Sequence, residues 1–158
     1  VGRIDQEMFM ANLRVNFSIT PDLSLQFWGQ PFIFAGDYSE FRKVTNPRAD
    51  KFYDQFHRFT GDQVSYDGEN DLYRIDDNID CKEDYSFDNP DFKVYEFRSN
   101  LVLRWEYIPG STLYVVWSQG RSDDSPEGFF RLRDDMPDIF RIFPHDVFLV
   151  KLTYRLSV

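Results

Sequence analysis

Apolar and polar residues alternate strictly over several stretches of this chain. From Met8 to Thr20, Phe9, Ala11, Leu13, Val15, Phe17 and Ile19 fall on one side, and Met10, Asn12, Arg14, Asn16, Ser18 and Thr20 on the other. A period of two marks a β-strand with unlike faces. Pro21-Asp22 supplies a tight turn, since proline presets the first central dihedral and aspartate bonds its own backbone. A second strand over about 23–38 carries Leu23, Leu25, Phe27, Ile33 and Ala35 against Ser24, Gln26 and Gln30. Trp28, Phe32 and Phe34 interrupt its polar side, and Pro31 removes a ladder donor, so a bulge or an edge is expected there.

The third strand, about 94–107, sets Phe97, Leu101, Leu103, Trp105 and Tyr107 against Glu96, Arg98, Asn100, Arg104 and Glu106. Ile108-Pro109-Gly110-Ser111 is its turn. The fourth, 112–119, presents Leu113, Val115 and Trp117. The fifth, 147–158, presents Phe148, Val150, Leu152, Tyr154, Leu156 and Val158 on one face and Lys151, Thr153, Arg155 and Ser157 on the other. Two long connections, 39–93 and 121–146, alternate with the two short turns.

Outer-membrane barrels have short periplasmic turns and long extracellular loops, and no connection here violates that alternation. The expected fold is therefore all-β: an antiparallel up-and-down β-meander of about five long strands with long acidic extracellular loops. It would be a partial, C-terminal segment of a transmembrane β-barrel. Strand length favours this over a soluble sheet, whose strands have a mode of about 5 to 6 residues against the 9 to 11 needed to cross a bilayer. Aromatic residues also fall into two groups, as interfacial girdles require: Phe17, Trp105, Tyr107 and Tyr154 at one end, and Phe9, Phe97, Trp117 and Phe148 at the other. Five strands cannot close such a barrel, so upstream strands of the same protein are expected partners, with outer-membrane lipid against the apolar face. The opening Val1-Gly2-Arg3-Ile4 reads as internal to a longer chain.

Composition sharpens this picture. The 158 residues are 42% hydrophobic and 18% aromatic with a net charge of −9, which excludes a disordered chain and gives no basic surface for nucleic acid. Between Gly61 and Asp91, eleven acidic residues face only Arg74 and Lys82, so one segment carries the whole excess. In it Asp76, Asp77 and Asp80 lie close enough in sequence to raise calcium as a ligand, because a hard cation takes six to eight oxygens. No stretch has the EF-hand spacing, and a solvated loop that keeps the surface negative accounts for the same residues. The lone Cys81 cannot form an internal disulfide.

Nothing in the chain has the pattern of a catalytic motif. His57 and His145 have no serine or cysteine signature nearby, and Ser118 lacks the first glycine of a nucleophile elbow. No enzyme activity is expected. The strand alternation instead directs Arg14, Glu96, Arg98, Arg104, Glu106, Lys151 and Arg155 inward, where a polar barrel lumen would receive them. They would either set the selectivity of a solute path or pair into a structural network filling the interior.

The run Arg98-Ser99-Asn100-Leu101-Val102-Leu103-Arg104-Trp105-Glu106-Tyr107, with Pro109-Gly110-Ser111-Thr112-Leu113 and Val116-Trp117-Ser118-Gln119-Gly120-Arg121, resembles the C-terminal barrel region of the DUF5916 family of Bacteroidota. Asp84-Tyr85-Ser86-Phe87-Asp88-Asn89-Pro90-Asp91-Phe92, Val147-Phe148-Leu149-Val150-Lys151-Leu152 and the first hairpin fit the same pattern. The resemblance implies a place in the bacterial outer membrane. It also implies an N-terminal domain similar to family 9 carbohydrate-binding modules, whose ligand residues have no counterpart in these positions. The expected function is a membrane anchor or channel whose surface loops bind glycan or a protein partner. The alternatives are a soluble β-sheet binding module or hydrolase accessory domain, and a secretion or assembly accessory that docks through the acidic loop.

Overall fold

The computed structural model describes residues 1–156. Its strands are β1 (Arg3–Met10), β2 (Leu13–Thr20), β3 (Leu23–Ser39), β4 (Arg42–Val44), β5 (Phe56–Arg58), β6 (Val64–Asp67), β7 (Leu72–Ile75), β8 (Tyr85–Asp88), β9 (Phe92–Ile108), β10 (Ser111–Ser125) and β11 (His145–Thr153). A 3-10 turn at Phe52–Gln55 precedes β5, and one helix, α1 (Leu132–Arg141), lies between β10 and β11. The protein is mostly antiparallel β-sheet, as the alternation predicts. It divides into two compact units: one of Met8–Phe34, Val94–Ser125 and the chain from Phe130 onward, the other of Val1–Glu7, Ala35–Lys93 and Pro126–Phe129.

The large sheet has the order β1-β3-β9-β10-β11, with β2 also paired to β3. Setting aside β4 to β8, and counting β1 and β2 as one interrupted strand along β3, sheet neighbours are chain neighbours, which makes it a meander with two open edges. No closed barrel is formed among the described residues. The stretch expected as one strand over 8–20 is two strands broken at Ala11-Asn12, and Pro31 is the cause. The Ala11 N–H donates to the Pro31 carbonyl at 3.2 Å, but proline has no N–H to return the bond. The ladder therefore fails on the neighbouring strand, while β3 itself runs through the proline without an edge. Further along, the register shifts between Ser18 and Thr20, and the Thr20 hydroxyl accepts the Asp22 and Leu23 N–H groups at 3.3 and 3.0 Å to close the turn.

Register fixes the faces of the sheet unit. Leu13, Val15 and Phe17 stand directly opposite Gly29, Phe27 and Leu25, while Arg14, Asn16 and Ser18 oppose Trp28, Gln26 and Ser24. Leu113, Val115 and Trp117 oppose Leu152, Val150 and Phe148, with the Trp117 and Phe148 rings stacked at 6.0 Å. The buried core is small and lies under α1. Ile33, Tyr95 and Ile139 form it, with Phe9, Phe97, Phe130, Met136 and Ile142 packed around them. Phe9 and Phe97, read above as interfacial aromatics, are thus occupied by packing: Phe9 stacks on Phe130 and Phe97 meets Phe140.

The helix interrupts the second long connection, which also shortens because β10 continues to Ser125 and β11 starts at His145. Asp135, buried at 4%, accepts the Tyr95 hydroxyl at 3.0 Å and reaches back to the Arg131 N–H at 2.6 Å, satisfying a free donor of the first turn. At the other end Arg121 donates to the Phe140 and Ile142 carbonyls, where a cation suits the helix dipole. Pro137 sits inside this helix, so side-chain packing outweighs poor propensity there.

The other unit is built largely from the connection 39–93. That connection is more structured than its polar composition suggests, holding a β4-β5 hairpin and a β6-β7-β8 meander. Alternation fails to reveal these strands because each is only 3 or 4 residues long. They are held by aromatic contacts, Phe41 to Tyr73 at 4.6 Å and Phe41 to Phe87 at 5.0 Å, and by the buried Ile75. Lys93, only 1% exposed, pairs with Glu127 at 3.0 Å and lies 5.1 Å over the Phe129 ring.

Candidate functional site

The polar face of the large sheet collects most of the inward charges read from the sequence. On β9, Arg98 Nε donates to Glu96 at 2.7 Å and Arg104 pairs with Glu106 at 3.0 Å. These partners are two residues apart and so share a face by strand geometry. Tyr114 stands directly opposite Lys151. Arg14 opposes Trp28 across the β2-β3 ladder. Glu106 also accepts the Gly110 N–H at 3.0 Å, tying the face to the β9-β10 turn.

Arg155 is placed differently from the expectation. The fifth strand ends at Thr153, four residues before Ser157, which with Val158 lies outside the described residues. The Arg155 N–H donates to the Ser111 hydroxyl at 3.0 Å, and its side chain lies over Gly110. It belongs to the turn rather than to a strand face. Both carboxylates of this group are paired, whereas Arg14 and Lys151 have no carboxylate partner among the described residues. This group of residues is therefore net positive although the chain is net negative.

One cleft stands out on this face. Arg14, Asn16, Gln26, Trp28, Asn100 and Val102 line a space of about 460 Å³ with Phe27 at its edge. β2 supplies the arginine and one amide, β3 the indole and a second amide, and β9 the third. Sequence alternation places each of these residues on the correct face, but only the order β2-β3-β9 brings them together. The signal available beforehand was Trp28, a large aromatic at a position where the alternation calls for a polar residue.

The opposite face is apolar and open. Phe148, Val150 and Leu152 are 70%, 67% and 64% exposed, and Val15 and Phe17 are exposed as well. Away from α1 no second layer of the described residues covers these side chains.

The acidic segment uses its carboxylates on its own backbone. Asp76 accepts the Asp80 and Cys81 N–H groups at 3.1 and 2.7 Å, Asp80 accepts the Lys82 N–H at 3.0 Å, and Asp77 pairs with Lys43. Those bonds hold Ile79 and Cys81 at positive φ. Among the described residues no group of three or more His, Cys, Asp or Glu side chains is arranged to hold a metal ion. Asn70 and Arg74 bond the Asp67 carboxylate and hold it down at about 2, while burial pushes Asp91 above the usual carboxylate range. His57 contacts the buried Gln63 at 3.3 Å, and Ser118 lies in β10 opposite Val147.

Comparison of the chain with protein-family models, with curated proteins and with solved structures finds no match. The site rests on its own geometry.

Proposed function

We propose that this chain forms part of the wall of an outer-membrane β-barrel of the DUF5916 type and acts as a membrane anchor or channel. The observation that carries this is the two-faced open sheet. Its strands are long, one face is apolar and uncovered, the other is polar and charged, and both edges are unpaired. An open apolar sheet face in water invites aggregation. The same face in hydrocarbon is satisfied, and upstream strands would pair the edges. On β9 the ten residue steps from Phe97 to Tyr107 rise about 34 Å along the strand, or about 26 Å at a tilt of 40°. The apolar band of such barrels is about 25 Å tall.

In this reading the polar face lines the interior, and the positive balance of these inward charges favours anionic solutes, as Arg and Lys linings do in anion pores. The small sheets built from residues 39–93 belong to the outer surface, where their aromatic and acidic side chains bind glycan or a protein partner. No catalytic role is assigned. A soluble binding module or hydrolase accessory domain is favoured by one observation, the packing of α1 on Ile33, Tyr95 and Phe97. That packing leaves the larger part of the apolar face bare.

The test is to express the full-length protein in a bacterial host, extract its membranes and run it unboiled and boiled. A barrel is recovered only with detergent and migrates differently before and after boiling. Recovery as a monodisperse monomer in detergent-free buffer, with a cooperative thermal transition, would rule the proposal out.

A further inference from the structure

We propose that the cleft between β2, β3 and β9 is a saccharide subsite, and that its preferred ligand carries a carboxylate. The inference deepens the channel reading of the polar face and rests on it. The argument starts from unused hydrogen-bonding capacity. Among the described residues the side chains of Arg14, Asn16, Gln26, Trp28 and Asn100 make no hydrogen bond to other side chains or to backbone, yet all five line one space of about 460 Å³. Elsewhere on the same face several charged and hydroxyl groups are paired within the protein: Arg98 with Glu96, Arg104 with Glu106, Thr112 with Thr153. Arg14, Asn16, Gln26 and Asn100 are exposed and so hydrated, and a ligand rich in hydroxyl groups can take the place of that water without breaking any bond within the protein.

The residue types select the ligand. An indole offers a flat apolar face with a polar edge, which suits a pyranose ring: its C–H faces stack while its hydroxyls point outward. Three carboxamides each supply both donor and acceptor, matching hydroxyl groups that do the same. Arg14 supplies donors only, in a planar fork that fits a carboxylate, and no protein carboxylate occupies it. Asn16 and Gln26 stand directly opposite one another, one row along from the Arg14 and Trp28 pair. Amides and the stacking platform are therefore adjacent rows of one ladder, about 7 Å apart along the strand. A single sugar ring reaches both rows. A cleft of this volume falls within the range of small-molecule sites.

The experiment is calorimetric titration of the detergent-solubilised full-length protein with trigalacturonic acid and, separately, with maltotriose. Parent protein is expected to bind the acidic trisaccharide more tightly than the neutral one. Trp28→Ala and Asn100→Ala are each expected to weaken it by about tenfold, the loss of one stacking or hydrogen-bonding partner. Arg14→Gln is expected to bring the two sugars to equal affinity. Asn16→Ala, at an exposed position, serves as the second amide variant should Trp28→Ala loosen its strand. Unboiled gel mobility of every variant checks the fold. A protein with barrel-like mobility that binds neither sugar, or whose Trp28→Ala and Asn16→Ala variants bind as tightly as the parent, overturns the subsite and leaves the barrel standing. Sugar binding by a protein without that mobility keeps the subsite and overturns the barrel.

Discussion

Val150 offers the sharpest test of which medium bathes the apolar face. It lies on β11 directly opposite Val115, flanked on its own face by Phe148 and Leu152, and is 67% exposed. Its neighbour Lys151 points to the other face, so a cation is tolerated one residue away. In Val150→Lys the same charge is moved through the sheet. If the face meets hydrocarbon, a lysine near the bilayer midplane costs about 2–4 kcal/mol, which lowers the folding equilibrium constant by about 30- to 700-fold. If it meets water, a substitution at so exposed a position stays within about 0.5 kcal/mol, less than about threefold. The two outcomes do not overlap. The assay is urea unfolding of the full-length protein in phosphatidylcholine vesicles, followed by the mobility of unboiled samples, with Val150→Leu as the apolar control. A Val150→Lys midpoint equal to that of the control refutes the hydrocarbon assignment.

Other consequences are local. Ile139→Ala empties a fully buried position beneath α1 and is expected to cost about 2–5 kcal/mol; hydrogen exchange should show protection lost in 132–141 while the β10-β11 amides keep theirs, and uniform loss would contradict a separately docked helix. Gly110→Ala places a Cβ on a residue at φ +83° and only 2.5 Å from the Arg155 Cδ. The strain of about 1–2 kcal/mol should lower the urea midpoint, and adding Arg155→Ala should recover only the contact part of it. The Asp67 carboxyl, held at about 2 against an ordinary 3.8 by Asn70 and Arg74, stabilises the β6-β7 hairpin fully above about pH 4 and loses that contribution as the pH falls through 2. Pepsin cleavage between residues 61 and 76 should rise across that interval, and an Asp67 carboxyl carbon that titrates at 3.8 would refute the assignment.

Alternation alone reveals the all-β class, the two faces of each long strand and the two tight turns, because a strand's side-chain period is a local property of the backbone. Leu13, Val15 and Phe17 could be assigned to one side before any pairing was known. Pro31 was also legible as a fault in the ladder. Which strand would absorb that fault was not, since the missing N–H belongs to β3 while the broken bond is felt on its neighbour at Ala11-Asn12. The short strands of residues 39–93 were hidden for a related reason: three or four residues are too few to display a period, and their stability comes from contacts such as Phe41 to Tyr73 between residues far apart in the chain.

The helix over Leu132–Arg141 was missed because Asp134, Asp135, Pro137 and Asp138 argue against one locally. It forms where Ile139 and Met136 find Ile33 and Tyr95, and where Asp135 finds the Tyr95 hydroxyl. The cleft shows the same division. Its residues were individually marked as polar-face positions, with Trp28 out of place among them, but their meeting depends on β3 lying between β2 and β9. What each residue faces follows from its neighbours in the chain; what it meets is decided by which strands pair, through contacts that no local window contains.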